Sequence, residues 1–170
     1  ENIEKTKEVV RLASFYGAAV EGEIGSIGGA EGDMAESDVS ITKVEDAKRF
    51  AEETGIDAMA VAIGTAHGNY KEKPQLRIDR LKEIHAAVKT PLVLHGGTGL
   101  TEEDFRTCLA NGIQKNNIAT ASYDASAAKI KEVAAANPQA KYFDFSDAIV
   151  QGTYENVKKH MHIFELEQKA

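Results

Sequence analysis

Helix-period and strand-period stretches alternate along this chain, and glycines mark many of the junctions. Ile3, Val9, Val10, Leu12 and Ala13 form one helical stripe that Gly17 is placed to end. AAVEGEIG (18–25) then reads as a first strand, followed by a long acidic loop rich in glycine, SIGGAEGDMAESD. Thr42 and Glu45 have the spacing of a capping box for a helix to about Thr54, with Gly55 closing it. DAMAVAIG (57–64) is a near-continuous run of small apolar residues, as in strands covered on both faces. Leu81, Ile84 and Val88 mark the next helix, stopped at Thr90-Pro91, and PLVLHGG supplies a third strand. Thr101 and Asp104 cap a helix carrying Phe105, Cys108 and Leu109 up to Gly112. GIQKNNIAT (112–120) is the fourth strand, with an alanine-rich helix over 121–136. Asn137-Pro138 breaks that helix, and an amphipathic helix takes 146–168.

Strands that alternate with helices through short turns predict βαβ units and a parallel sheet, hence an α/β fold. Four such units are too few to close an eight-stranded TIM (β/α)8 barrel, which needs about 250 residues. The expected organisation is half of such a barrel over residues 1–136 and a C-terminal helical extension over 137–170. A half-barrel exposes two sheet edges, so a homo-oligomer is expected. The chain opens ENIEKTKEVV, without Met and already within a helical pattern, as expected where an earlier part is missing.

Composition narrows the class without naming it. The 170 residues are 42% hydrophobic and 28% charged, the balance of a globular domain. A net charge of −7 argues against nucleic-acid or anionic-membrane surfaces. Cys108 is the single cysteine, so no intrachain disulfide forms and a cytoplasmic setting is expected. No apolar run reaches transmembrane length and no secretory signal is visible, so no membrane partner is expected.

The polar residues that carry chemistry follow strands at their C-terminal ends, where parallel α/β architectures build their sites. His67 and His95 occupy matching positions after neighbouring strands, and two neutral imidazoles suit Zn²⁺. Gly68, Gly96 and Gly97 let backbone N–H groups approach an anion, Thr98 adds a hydroxyl, and the helix starting near Thr101 directs its positive end the same way. Asn117 and Thr120, after the fourth strand, are placed to complete a phosphate cup. Glu21 and Glu23 share one face of the first strand, where a carboxylate needs a cation, a metal or a solvated cavity. Either is therefore a site candidate, with Glu21 open to pairing with a structural cation. Glu31, in the acidic loop, is a candidate base. His85, His160, His162, Lys71 and Lys73 read as surface residues.

VEGEIGSIGGAEGD, VAIGTAHGNYKEKPQLRIDRLKEI, PLVLHGGTGLTEEDF and GIQKNNIAT together resemble the class II, metal-dependent ketose-bisphosphate aldolases of the fructose and tagatose group. The resemblance covers most of residues 1–120 and fades beyond them. It implies that the chain is the C-terminal half of the barrel, with His67 and His95 as zinc ligands and Glu23 as an alternative metal contact. By the same resemblance Gly68, Gly96, Gly97, Thr98, Asn117 and Thr120 would hold the phosphate of dihydroxyacetone phosphate, and Glu31 would be the mobile-loop base. The implied activity is cleavage of a ketose 1,6-bisphosphate with Zn²⁺ as Lewis acid. The family's aspartate and first zinc histidine come from an earlier strand, and no Asp-His pair occurs in this sequence. These 170 residues alone are therefore expected to be inactive. Asn116, where the family has an apolar residue, and Ala121, where an acid is common, leave the sugar open. Two rival expectations follow: a non-catalytic half-barrel that binds phosphate or metal or assembles through its edges, and a related lyase for another phosphorylated ketose.

Overall fold

The computed structural model describes residues 1–29, 40–69 and 74–165. They divide into two compact units, one up to Asn117 and one from Ile118 on.

In the first unit, helix α1 (Asn2–Phe15) precedes strand β1 (Glu21–Ile24), and α2 (Val44–Thr54) leads to β3 (Ala58–Val61). Helix α3 (Ile78–Ala87) leads to β5 (Leu92–Leu94), and α4 (Glu102–Ala110) to β6 (Ile113–Asn116). Two further strands of two residues each, β2 (Gly28–Gly29) and β4 (Ala66–His67), pair with one another in parallel. The main sheet is parallel throughout and runs β1-β3-β5-β6, so every strand lies beside its predecessor in the chain. This is the parallel α/β sheet expected from the alternating pattern.

The core sits where the sequence is most uniformly apolar. Met59, Ala60 and Val61 on β3 and Leu92, Val93 and Leu94 on β5 are buried, as are Phe50, Leu81, Ile84 and Phe105 on the helices. At about 25 cal/mol per Å² of apolar surface, each large side chain fully buried contributes about 1.5–3 kcal/mol. On β1, Gly22 is where Phe50 and Ile56 press closest: a Cβ there would stand 2.9 Å from the Phe50 ring. Its neighbours Glu21 and Glu23 point the other way, on a face that is only half covered and not buried as a fully covered strand would be.

Two helix starts were expected to be capped, and one is. Thr101 Oγ1 accepts the N–H of Asp104 at 3.1 Å while the Asp104 carboxylate accepts the N–H of Thr101 at 3.0 Å. Thr42 caps nothing, because α2 starts at Val44 with no side-chain cap. The Thr42 hydroxyl is buried, donates to Ile24 O at 2.6 Å and accepts the N–H of Ala62 at 2.8 Å, joining the ends of β1 and β3. Gly55 closes α2 in the left-handed conformation, as expected. The fourth strand is shorter than 112–120: it ends at Asn116, and Thr120 already belongs to the next helix. No helix among the described residues is long and apolar enough to cross a membrane.

The second unit is a helical pair, α5 (Thr120–Ala136) and α6 (Tyr142–Ile163), with α6 starting four residues before the expected point. Gly152 lets the helices approach closely, since a Cβ there would stand 2.6 Å from Ala125 O. Ser126 Oγ donates to Ile149 O at 3.1 Å, and Asn156 Nδ2 donates to Ser122 Oγ at 2.9 Å.

Candidate functional site

Beyond the C-terminal end of β5 the chain reads His95-Gly96-Gly97-Thr98, and the ring of His95 lies between two carboxylates from β1. Its Nε2 is 2.8 Å from Glu21 Oε1 and its Nδ1 is 2.9 Å from Glu23 Oε2. The period-two geometry of β1 is what sets both carboxylates on one face to flank the ring. From β6, Lys115 Nζ donates to Glu21 Oε2 and to Asn117 Oδ1, both at 2.7 Å. The Asn117 amide nitrogen is 2.9 Å from His95 Nε2 and 3.4 Å from Glu21 Oε1.

Charge is nearly balanced within this cluster, and the ionisation constants reflect it. The hydrogen bond with Glu23 is the largest influence on His95 and raises its pKa; burial opposes, and the hydrogen bond with Glu21 adds to the rise. For Glu21 burial pushes the carboxyl up, but hydrogen bonds from Lys115 and His95 together outweigh it and leave the pKa below the ordinary value.

His67 enters the cluster through β4. The two imidazole rings lie 6.1 Å apart, centroid to centroid, and are inclined by 57°. Gly96 makes this proximity possible. With φ of +70° it lies against the backbone of Ala66, and a Cβ there would collide with the Ala66 carbonyl oxygen and stand 2.7 Å from its carbonyl carbon. The two histidine-bearing turns thus touch main chain to main chain. On its other side His67 is in register with Gly29, a residue of the acidic loop's first part.

Gly96, Gly97 and Thr98 are buried, and three residues later Thr101 opens α4, so a glycine turn and a helix start follow the strand in that order. Gly68 has φ of +78° immediately after His67. Asn117 lies beside His95, whereas Thr120 is the first residue of α5 in the second unit. Glu31, Lys71 and Lys73 lie outside the described residues. His85 is packed over Gly112, and His160 pairs its Nδ1 with Asn156 O at 2.8 Å. Sequence reasoning passed over Lys115, although its spacing of two from Asn117 on a strand was the signal that both face the same way. The cation opposite Glu21, left open in the sequence, is this lysine.

A zinc ion requires nitrogen, sulfur or oxygen donors in a tetrahedral set. His67, His95 and Glu23 fit that requirement in kind, two imidazoles and a carboxylate at one end of the sheet. They fit it in part only, because the described residues hold no group of three acidic, histidine or cysteine side chains arranged to take a metal.

Parallel strands with imidazoles, carboxylates and glycine turns at their carboxyl ends place this chain among the α/β proteins that build their chemistry at that end. The family model for fructose-bisphosphate aldolase class-II matches residues 1–169, and the chain belongs to that family. It is 39% identical over 173 aligned positions to the sulfofructosephosphate aldolase of Alkalicoccus urumqiensis, covering 100% of this chain and 60% of that protein. Among solved structures it is similar to the YdjI aldolase of Escherichia coli K12, with 31% identity and a TM-score of 0.77 over 96% of this chain and 54% of the other. The fructose-bisphosphate aldolase of Campylobacter jejuni gives 25% identity and a TM-score of 0.71, with 96% and 55% covered. The chain therefore spans between half and two thirds of the length of these relatives.

Proposed function

We propose that the protein carries out metal-dependent, reversible aldol cleavage of a phosphorylated ketose, releasing dihydroxyacetone phosphate and an aldehyde. The observation that carries this reading is His95, held between Glu21 and Glu23 with its ring beside that of His67. Family membership supports it, and the half-length match supports reading residues 1–136 as the C-terminal half of a (β/α)8 barrel, with 137–170, which hold α6, as its helical extension. Zn²⁺ would be held by His67 and His95, with Glu23 as an alternative contact. Bound there, it supplies Lewis-acid polarisation of the ketone oxygen.

The chain's own residues take the other tasks. Gly68, Gly96 and Gly97 present backbone N–H groups, and Thr98 a hydroxyl, to the phosphate, with the positive end of α4 behind them. Asn117 offers an amide N–H beside His95. In the condensation direction Glu31 acts as the base that removes the hydroxymethylene proton of dihydroxyacetone phosphate, and in cleavage it returns a proton to that carbon. Such a base typically contributes about 10²–10⁴-fold. Glu31→Gln is therefore expected to lower kcat by that order with a smaller change in KM. The relatives' names include both a fructose-bisphosphate and a sulfofructosephosphate aldolase, so the substrate class proposed is a ketose phosphate, with either anion at its far end.

The test is retro-aldol cleavage by the complete barrel, assayed with fructose bisphosphate and with sulfofructose phosphate, before and after strong chelation and then with zinc restored. Activity is expected to vanish with chelator, return with zinc and be lost in His95→Ala. Full turnover in chelator would remove zinc from the reading.

A further inference from the structure

We propose that Lys115 is a positioning residue, which ties Glu21 to Asn117 and so fixes the Asn117 amide with its NH₂ group turned toward His95. The proposal rests on the aldolase reading only for the purpose of that amide; the tie itself stands on geometry. An ammonium group has donors and no acceptor. With Lys115 Nζ at 2.7 Å, only the oxygen of the Asn117 amide can face it, and the nitrogen is forced to the opposite side. There it stands 2.9 Å from His95 Nε2 and 3.4 Å from Glu21 Oε1.

Without the lysine the choice reverses. A histidine N–H or a bound hydroxyl would draw the amide oxygen inward, and an Asn side chain turns over at little steric cost. Lys115 also occupies Glu21 Oε2 at 2.7 Å, which leaves Oε1 to His95 and the Asn117 amide. One ammonium thus sets the direction of two neighbours of the same imidazole. The tie crosses the inner face of the sheet, from β6 at one end of the strand order to β1 at the other. An N–H held at that spot is a donor that need not reorient when a ketose oxygen arrives, which is where preorganised donors are worth most.

The variants are Lys115→Met, which keeps the length and removes the charge, Lys115→Gln as a second neutral form, and Lys115→Arg, which restores it. The Lys115 side chain is 53% exposed, so the neutral variants should fold and melt close to the parent protein. The first readout needs neither metal nor substrate: the side-chain amide resonances of Asn117, in protein labelled with ¹⁵N at asparagine. They should shift and lose their distinct environment in Lys115→Met and Lys115→Gln and return toward the parent positions in Lys115→Arg. The second readout is steady-state cleavage by the complete barrel with zinc present. There kcat should fall by about 10- to 100-fold, as for outer partners of a site, with a smaller change in KM and recovery in Lys115→Arg. Unmoved Asn117 resonances in both neutral variants overturn the proposal, whatever the activity does. If the complete barrel cleaves no ketose phosphate, the aldolase reading falls, and the resonances alone decide the role of Lys115.

Discussion

Thr42 uses one hydroxyl twice, donating to Ile24 O and accepting from Ala62 N–H, so the ends of two strands share a single side chain. Replacing it with valine keeps the shape and removes both bonds. A buried backbone group left unsatisfied costs about 1–3 kcal/mol. Thr42→Val should lower stability by that order in urea unfolding, while Thr42→Ser, which keeps the hydroxyl, should lose much less. The same residue shows where sequence reading stops. Thr42-x-x-Glu45 has the letters of a capping box, yet whether a hydroxyl turns to its own helix or to a strand beside it depends on partners some 20 residues away. Thr101 and Asp104 were legible because both partners of that box are local. Cys108 gives a second prediction at this scale. Burial, with a further push from Asp104, raises its thiol to about 12 from an ordinary value of 9.0. Above pH 9 the unfolded chain loses this proton and the folded one keeps it, so folded-state stability declines from there toward pH 12. Urea midpoints across this range should fall more steeply in the parent than in Cys108→Ala, and the native thiol should resist alkylation at pH 8.

Among elements, the contact of Gly96 with Ala66 decides how far apart two histidines stand. Gly96→Ala places a methyl group against the Ala66 carbonyl and holds an alanine at φ of +70°, a left-handed conformation that itself costs about 1–2 kcal/mol. The expected result is reduced stability and weaker zinc binding, read by competition with a chromophoric chelator; unchanged zinc affinity would separate the contact from the metal site. Thr101→Ala is the contrasting case. It removes a cap worth about 0.5–2 kcal/mol and should lower the melting temperature without touching zinc affinity. Strands β3 and β5 were legible from their apolar runs, and β1 and β6 from their place in the alternation with helices. Strands β2 and β4 were not, since two residues give no periodicity to read. Their pairing depends on where Gly29 and His67 meet in space.

At the scale of the molecule, β1 and β6 end the strand order with no further partner among the described residues. Expressed as these 170 residues alone, the chain is expected to form dimers or larger species by light scattering and to show no appreciable aldol cleavage with zinc present. A monodisperse monomer turning over at about 1–10³ s⁻¹ would contradict both the half-barrel proposal and the site assignment. The strand order has one more consequence, for how the chain is made. Because β1, β3, β5 and β6 lie side by side in the order of synthesis, each new strand finds its template already in place as it leaves the ribosome. Nothing has to be threaded between strands that have closed. At about 5–20 residues per second, translation is slow beside the microsecond-to-second times of folding, so the sheet can grow one strand at a time, always at the edge made last.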